Sequence, residues 1–473
     1  MVKELPGFYY DPEKKKYFKI QANHVAPPGY QYSEGAIKEK RLEEKRRKHK
    51  SHYTRRIATE RIRRATTLEH PLIGVQREIG RQLTSSRDTF ETHGKAYASN
   101  LRRNELHRYS PWGASGDNTI THILRNRSGL MVVGVSRGGE TAIAVCFPES
   151  HRHTWIYNRS LERVLYKFQH RLPSISLSHT GFLLAALDSG PGGDPFLLLR
   201  AVPDPVEEET YRWSTLASVR HPTRVQEETT LWSSSPRPTG DTPFFAIGTS
   251  QGLHTLEGVG YRWNLEKKQL PPNVISGKAA PFRYKESSHS TVKSVEWLTS
   301  DVIVSGLLDS SIFFHDIRSG GTVTRLQHSH SVSKIRKIDP YRLVVAGHES
   351  LQMYDIRYPA NGLQSRPKPG SPHHTSTKPY VSFPEHSNST RFNVYNDFDV
   401  SPELGLLAAV TDDSKLQLFS LLHGTVVDSP ASSYRRDRSI SCIRFESGEW
   451  PVLGSHVPRL LLGTGPVVEE WTW

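Results

Sequence analysis

Two tripeptides carry residue types suited to protein recognition, Asp316-Ile317-Arg318 and Asp355-Ile356-Arg357. They stand 39 residues apart, and each closes an apolar, β-rich run, at 303–318 and 344–357. Arginine offers a permanently charged planar fork that pairs with carboxylates and stacks on aromatic rings, so it often anchors protein interfaces. An Asp two residues earlier is placed to position that fork. A solvated Arg at a strand end is the plain alternative for either copy alone. Two copies in register on consecutive repeats favour a shared surface.

Other patterns point away from catalysis. Gly134-Val135-Ser136-Arg137-Gly138 has the spacing of a nucleophile elbow, which requires a strand before the serine and a helix after it. The residues after Gly139 read as a strand, so the segment is expected to be a hairpin turning at Arg137-Gly138-Gly139. The glycine-rich stretch at 190–194 lacks the Lys-Ser/Thr of a phosphate loop and reads as a turn. His151/His153 and His373/His374 have no Cys or carboxylate constellation around them and are expected on the surface. Two cysteines, Cys146 and Cys442, exclude a thiolate zinc finger and suit a reducing compartment. No catalytic residue, metal or cofactor is expected, and the chain is not read as an enzyme.

The 39-residue spacing matches one β-propeller blade. Strand-turn-strand units rich in β-branched and aromatic residues recur from about residue 117, centred on 119–160, 170–202, 213–265, 289–318, 328–357, 393–422 and 438–473. Small residues mark the inner strands, which crowd around an axis. The fold expected is all-β, a seven-bladed WD40-like β-propeller over 111–473, with a basic, mainly helical or disordered N-terminal extension. Residues 359–390 are Pro-, Ser- and His-rich and are expected to be a disordered insert, with long blade loops at 233–242 and 266–288. His289 and His330 open the fourth and fifth blades and are expected to hydrogen-bond within them.

Residues 1–34 are expected to hold an aromatic hairpin, turning at Asp11-Pro12-Glu13-Lys14, that must dock on something to be stable. Residues 35–110 are expected to be a basic helical extension, with a short amphipathic helix after Pro71. Between residues 38 and 64, 13 Lys/Arg face 4 Asp/Glu, so most of the net charge of +14 sits in this one segment. It reads as a solvated helix, a nuclear localisation signal or a phosphate-backbone contact through 38–64. No apolar stretch reaches membrane-spanning length, the N-terminus lacks a signal-peptide core, and no membrane association is expected.

The run at 303–318 resembles the sixteen-residue motif of WD40-repeat substrate receptors of the cullin-4 RING ubiquitin ligase. Ile303, Val304, Ser305, Gly306, Asp309, Ile312, Phe313, Asp316, Ile317 and Arg318 fit it, while Leu307 replaces a small residue and His315 an aromatic. In the second run Tyr354-Asp355-Ile356-Arg357 fits fully, after a hairpin two residues shorter. The N-terminal LPGFYYDPEKKKYFKI resembles the opening of the DDB1- and CUL4-associated factor 4 type, the WD-repeat protein 21 group. The resemblance implies a non-catalytic receptor in the nucleus or cytoplasm, linking an unknown protein substrate to the ligase through its damage-specific DNA-binding adaptor subunit. It implies partner contacts at His315, Asp316, Arg318, Tyr354, Asp355 and Arg357, and an adaptor-binding helix within 55–85. The competing reading is a nuclear or nucleolar RNA-associated WD40 scaffold.

Overall fold

Short strands of small and β-branched residues broken by turn residues cannot each bury both faces. Stacking successive four-stranded sheets around an axis buries them together. The computed structural model describes residues 7–11, 14–23, 25–26, 30–60, 86–113, 117–126, 129–151, 154–188, 195–202, 217–220, 229–259, 262–268, 291–347, 350–357, 377–384, 397–411, 414–446 and 458–473. It contains two compact units, 1–75 and 76–473.

In the first unit β1 (Phe8–Asp11) pairs antiparallel with β2 (Lys16–Lys19), as the hairpin reading expects. The support that a lone hairpin lacks comes from Tyr32. Its ring stacks on Phe18 at 4.1 Å and its hydroxyl donates to Asp11 Oδ2 at 2.8 Å. Helix α1 (Glu34–Glu60) follows, with the Ala36 N–H donating to the Ser33 hydroxyl at its start and Ile37 buried. From residue 38 to 52 every side chain of α1 is exposed.

The second unit is a seven-bladed β-propeller, each blade a four-stranded antiparallel sheet. Helix α2 (Ser86–Ser99) and strand β3 (Arg102–Arg108) precede the first blade. Blade 1 is β4 (Thr119–Arg125), β5 (Met131–Arg137), β6 (Glu140–His151) and β7 (Thr154–Phe168). Blade 2 is β8 (Arg171–Leu177), β9 (Phe182–Asp188), β10 (Phe196–Ala201) and β11 (Ala217–Arg220). Blade 3 is β12 (Leu231–Pro236), β13 (Phe244–Thr249), β14 (Gly252–Val259) and β15 (Arg262–Lys268). Blade 4 is β16 (Val292–Trp297), β17 (Val302–Leu307), β18 (Ser311–Asp316) and β19 (Gly321–Gln327). Blade 5 is β20 (Val332–Lys337), β21 (Arg342–Gly347), β22 (Leu351–Asp355) and β23 (Val381–Ser382). Blade 6 is β24 (Phe398–Ser401), β25 (Leu406–Val410), β26 (Leu416–Ser420) and β27 (Val426–Val427). Blade 7 takes β28 (Ile440–Glu446), β29 (Arg459–Thr464) and β30 (Val467–Thr472) from the C-terminus and β3 from the N-terminus, which closes the ring.

Three expectations need correction. Residues 102–108, read as part of a helical extension, form the outer strand of blade 7 because the open edge of β30 takes them as a pairing partner. Within the expected insert at 359–390, residues 377–384 are built into blade 5: β23 pairs with β22 and Phe383 is buried. The rest of that insert lies outside the described residues. Residues 233–236 belong to inner strand β12 and not to a loop. The amphipathic helix expected after Pro71 also lies outside the described residues.

Neighbouring blades pack through apolar side chains, as where Val304 and Phe314 of blade 4 meet Leu343, Val345 and Tyr354 of blade 5. Gly306 is needed for this approach, since a Cβ there would lie 2.3 Å from Val332 Cγ1. Each inner strand has a free edge whose N–H groups require partners. The preceding blade supplies them: Ser174 Oγ accepts from Ser234 N and Ser294 Oγ from Ile335 N, both at 2.9 Å. Asp397 and Asp399 accept from Ile443 N and Phe445 N, both at 2.8 Å. The Ser-rich inner strands of the sequence are therefore inter-blade staples.

Blade 5 holds its aromatic strand with a buried chain of hydrogen bonds. Tyr354 Oη donates to Gln352 Oε1 at 2.7 Å, so it accepts from His328 Nδ1 at 2.8 Å, and His328 Nε2 accepts from Ser350 Oγ at 2.9 Å. His330, expected to hydrogen-bond within this blade, does so at its half-buried edge, with Nδ1 3.1 Å from the Ser350 and Ser329 hydroxyls. His289 lies outside the described residues. On blade 1, His122 donates from Nε2 to the Pro173 carbonyl at 3.1 Å. Burial pushes the pKa of both His122 and His328 down to about 4. An unfolded chain protonates these rings near 6.5, so between 6.5 and about 4 it binds more protons than the folded protein. Stability is therefore expected to fall as pH drops through that window. Thermal melts of His328→Gln should show a shallower pH slope than wild type, and an unchanged slope would place the acid sensitivity elsewhere.

Candidate interaction site

Strands β18 and β22 end in Asp316 and Asp355, and the backbone then turns through Ile317 and Ile356. Each turn is tied to the start of the neighbouring strand: Ile317 N donates to Asp301 O at 2.9 Å, and Ile356 N to Tyr341 O at 2.8 Å. Each Asp then accepts from the backbone N–H two residues on, at 2.9 Å for Arg318 and 3.0 Å for Arg357. Such an Asx turn fixes the residue that follows.

The same carboxylate grips the Arg side chain by its fork. Arg318 donates from Nε to Asp316 Oδ1 at 3.3 Å and from Nη2 to Oδ2 at 3.1 Å. Arg357 makes the same pair to Asp355 at 3.0 and 2.6 Å. Hydrogen bonds from the Arg, first of all its side chain, lower the carboxyl pKa of both Asp316 and Asp355. The side chains of Arg318 and Arg357 remain 70% and 49% exposed. A charged fork clamped from behind loses less entropy on binding than a free one.

The two copies differ in what flanks the Arg. Beside Arg318 stands Asp301, 3.9 Å away, whose other oxygen accepts from Arg237 Nη2 of blade 3 at 2.7 Å. Beside Arg357 stands the exposed ring of Tyr341, 4.9 Å from the guanidinium, a cation–π stack. Tyr380 is also exposed on blade 5. Asp301 and Tyr341 hold equivalent places just before the second strand of their blades. Sequence reading missed them because only the pairing register reveals the equivalence. In each blade the first-to-second and third-to-fourth strand turns share one end of the ring. Arg318 and Arg357 therefore lie on one face, on adjacent blades.

The other expected contacts are not at this surface. His315 and Tyr354 are each 1% exposed and cannot touch a partner in this structure. They occupy equivalent inward positions, paired with Ile303 and Leu343. Tyr354 has its His328 network, whereas His315 has no hydrogen-bond partner for either ring nitrogen among the described residues. Asp355 is buried and Asp316 half-buried, which suits their clamping role. The register also corrects the hairpin comparison. Ile303 pairs with His315 and Leu343 with Tyr354, so the second copy is shorter by a single residue.

Ser136 lies in the expected hairpin, whose turn glycines Gly138 and Gly139 both have positive φ. Its hydroxyl donates to Glu140 O at 3.3 Å, and among the described residues no His, Asp or Glu side chain hydrogen-bonds to it. Burial pushes the Cys146 thiol up to about 12, and Cys442 likewise upward. Among the described residues no group of three or more His, Cys, Asp or Glu could hold a metal, and no helix is long and apolar enough to cross a membrane. On α1, Lys38, Arg41, Lys45 and Lys48 recur at helical spacing along one exposed stripe. His153, His373, His374 and residues 61–85 of the expected adaptor-binding helix lie outside the described residues.

The sheet order and the closure by an N-terminal strand define a seven-bladed β-propeller. Its chain is similar to the β-propeller domain of Cps50 (Swd1) from Myceliophteria thermophila, at 15% identity and a TM-score of 0.47, over 76% of this chain and 98% of that one. It is also similar to the WD40 β-propeller domain of Doa1, at 11% identity and a TM-score of 0.46, over 79% and 97%. No known family model matches the sequence, and no curated protein does.

Proposed function

We propose that this propeller is a non-catalytic substrate receptor that docks on the adaptor of a cullin-4 RING ubiquitin ligase and brings a target protein within reach of ubiquitin transfer, in the nucleus or cytoplasm. The observation that carries the reading is the pair of Asp-clamped, outward-facing arginines on one face of adjacent blades. Such a receptor contributes proximity and leaves the chemistry to the ligase. Clamped guanidiniums with a flanking acid on one blade and an aromatic on the other offer a partner two different anchor points.

Truncating an interface-centre Arg commonly costs on the order of 2 kcal/mol or more. Arg318→Ala combined with Arg357→Ala is therefore expected to abolish co-purification with the adaptor, while circular dichroism and melting temperature stay those of wild type. Both residues are exposed, so loss of fold is not an expected confound. Undiminished co-purification of the double variant would overturn the reading.

A further inference from the structure

Six inner strands gain one residue near their start, and in five of them a single residue is bulged out, which re-aims its side chain; in blade 2 the extra residue falls between Arg171 and Ser174. The bulged residues are Thr121, Trp232, Lys293, Ser333 and Ser441. In three blades the residue is a hydroxyl that donates to a carbonyl of the adjacent strand: Thr121 to Gly134 at 3.3 Å, Ser333 to Ala346 at 3.0 Å and Ser441 to Gly463 at 3.2 Å. Blades 3 and 4 break the pattern with Trp232 and Lys293, and neither residue makes that bond. Among the five single-residue bulges, three hold a hydroxyl, and the two that do not lie on adjacent blades.

The replacements meet each other. Lys293 Nζ lies over the Trp232 ring, 2.9 Å from its centroid. Arg171, at the start of the inner strand of blade 2, adds a second cation. Burial first, and then repulsion from Arg171, hold the Lys293 pKa down to about 8. Neither cation has a carboxylate partner among the described residues. The Trp232 indole N–H and the Ser233 hydroxyl are buried there without hydrogen-bond partners. A half-buried cation such as Lys293 and orphaned donors are costly unless something accepts from them, while Arg171 is exposed beside them. All three residues sit where inner strands begin, at the end of the ring opposite the turns that carry Arg318 and Arg357.

We propose that Arg171, Trp232 and Lys293 form a subsite that binds a carboxylate of an acidic peptide segment on this inner rim. The Arg fork and the ammonium supply charge-assisted donors, and the indole ring gives the peptide an apolar floor. The site stands independently of the adaptor reading. If both hold, it is where substrate is gripped, on the face away from the ligase.

The test is fluorescence anisotropy of the full chain with a fluorescein-labelled hexaglutamate peptide, with hexaglutamine for comparison. Hexaglutamate is expected to bind more tightly. Arg171→Ala and Lys293→Ala should each weaken it about tenfold, the scale of one hydrogen bond to a charged group. Binding by wild type should weaken above about pH 8, as Lys293 loses its proton, and Lys293→Arg should remove that dependence. Lys267→Ala, which deletes an exposed cation on the outer strand of blade 3, should change nothing. Equal binding of the two peptides overturns the proposal, as does a loss in Lys267→Ala matching that in Lys293→Ala.

Discussion

A chain beginning at residue 110 is expected not to fold, whereas one beginning at residue 76 is expected to melt close to the full-length protein. The difference lies in the short stretch that closes the ring. β3 pairs with β30 from Arg102 opposite Thr472 to Arg108 opposite Val467. Tyr97 at the end of α2, Leu101 before β3 and Tyr109 after it are all buried. Fully burying large apolar side chains contributes roughly 1.5–3 kcal/mol each, so these three contribute about 5–9 kcal/mol. A domain has only about 5–15 kcal/mol of net stability. Losing β3 also uncovers Trp471 and removes Arg103 from Glu469, a buried acid it contacts at 2.9 Å. Residues 1–75, by contrast, form a unit of their own. Thermal melts and limited proteolysis of the two truncations decide it. A cooperatively folding monomer that starts at residue 110 would sink the idea.

This has a practical consequence for the basic helix. The chain enters the ring through β3, so any deletion meant to remove the cations of α1 must stop short of α2. A cut placed at the end of the extension inferred from sequence, residue 110, would open the propeller. It would be misread as loss of a basic function.

Blade number and the paired Asp-Ile-Arg were legible because they are local and periodic. Each blade repeats its own turn chemistry, and the tripeptides fall at the same phase of that repeat. What was hidden depends on contacts remote in sequence. The closing strand reads as a charged, polar segment, since Arg102, Arg103, Asn104 and Glu105 carry little apolar alternation. Its place is settled by the open edge of β30, 360 or so residues away. Asp301 and Tyr341 could not be read as neighbours of Arg318 and Arg357 without the strand register. His328 was not singled out from sequence, because only its packing against Tyr354 reveals its place in the buried chain. The clamps themselves were half legible. Spacing put each Asp near its Arg, but the bidentate grip follows from the turn geometry.

The seam between the last and first blades should be the most sensitive single-residue site in the ring. The Arg125 side chain, at the end of β4, is fully buried. It contacts Glu446 of blade 7 through Nε and Nη2, and Glu470 Oε1 through Nη2 at 3.1 Å. Arg459 Nη1 supports Glu470 at 2.8 Å, so Glu470 keeps a partner if Arg125 is lost. Among the described residues Glu446 has no other cation at contact distance, and it is itself buried. Arg125→Met is therefore expected to cost about 3–5 kcal/mol, the scale found when one partner of a buried pair is removed. The exposed Lys48–Glu44 pair on α1, screened by solvent, should contribute little. The decisive comparison is the double variant Arg125→Met with Glu446→Leu. Removing both charges leaves no buried ion, so most of the loss should return. Urea melts with an unchanged slope would show that stability, and not the unfolding mechanism, has moved. If the single variant lost under 1 kcal/mol, Glu446 would have to be reached by water, and the seam would not be sealed as the packing indicates.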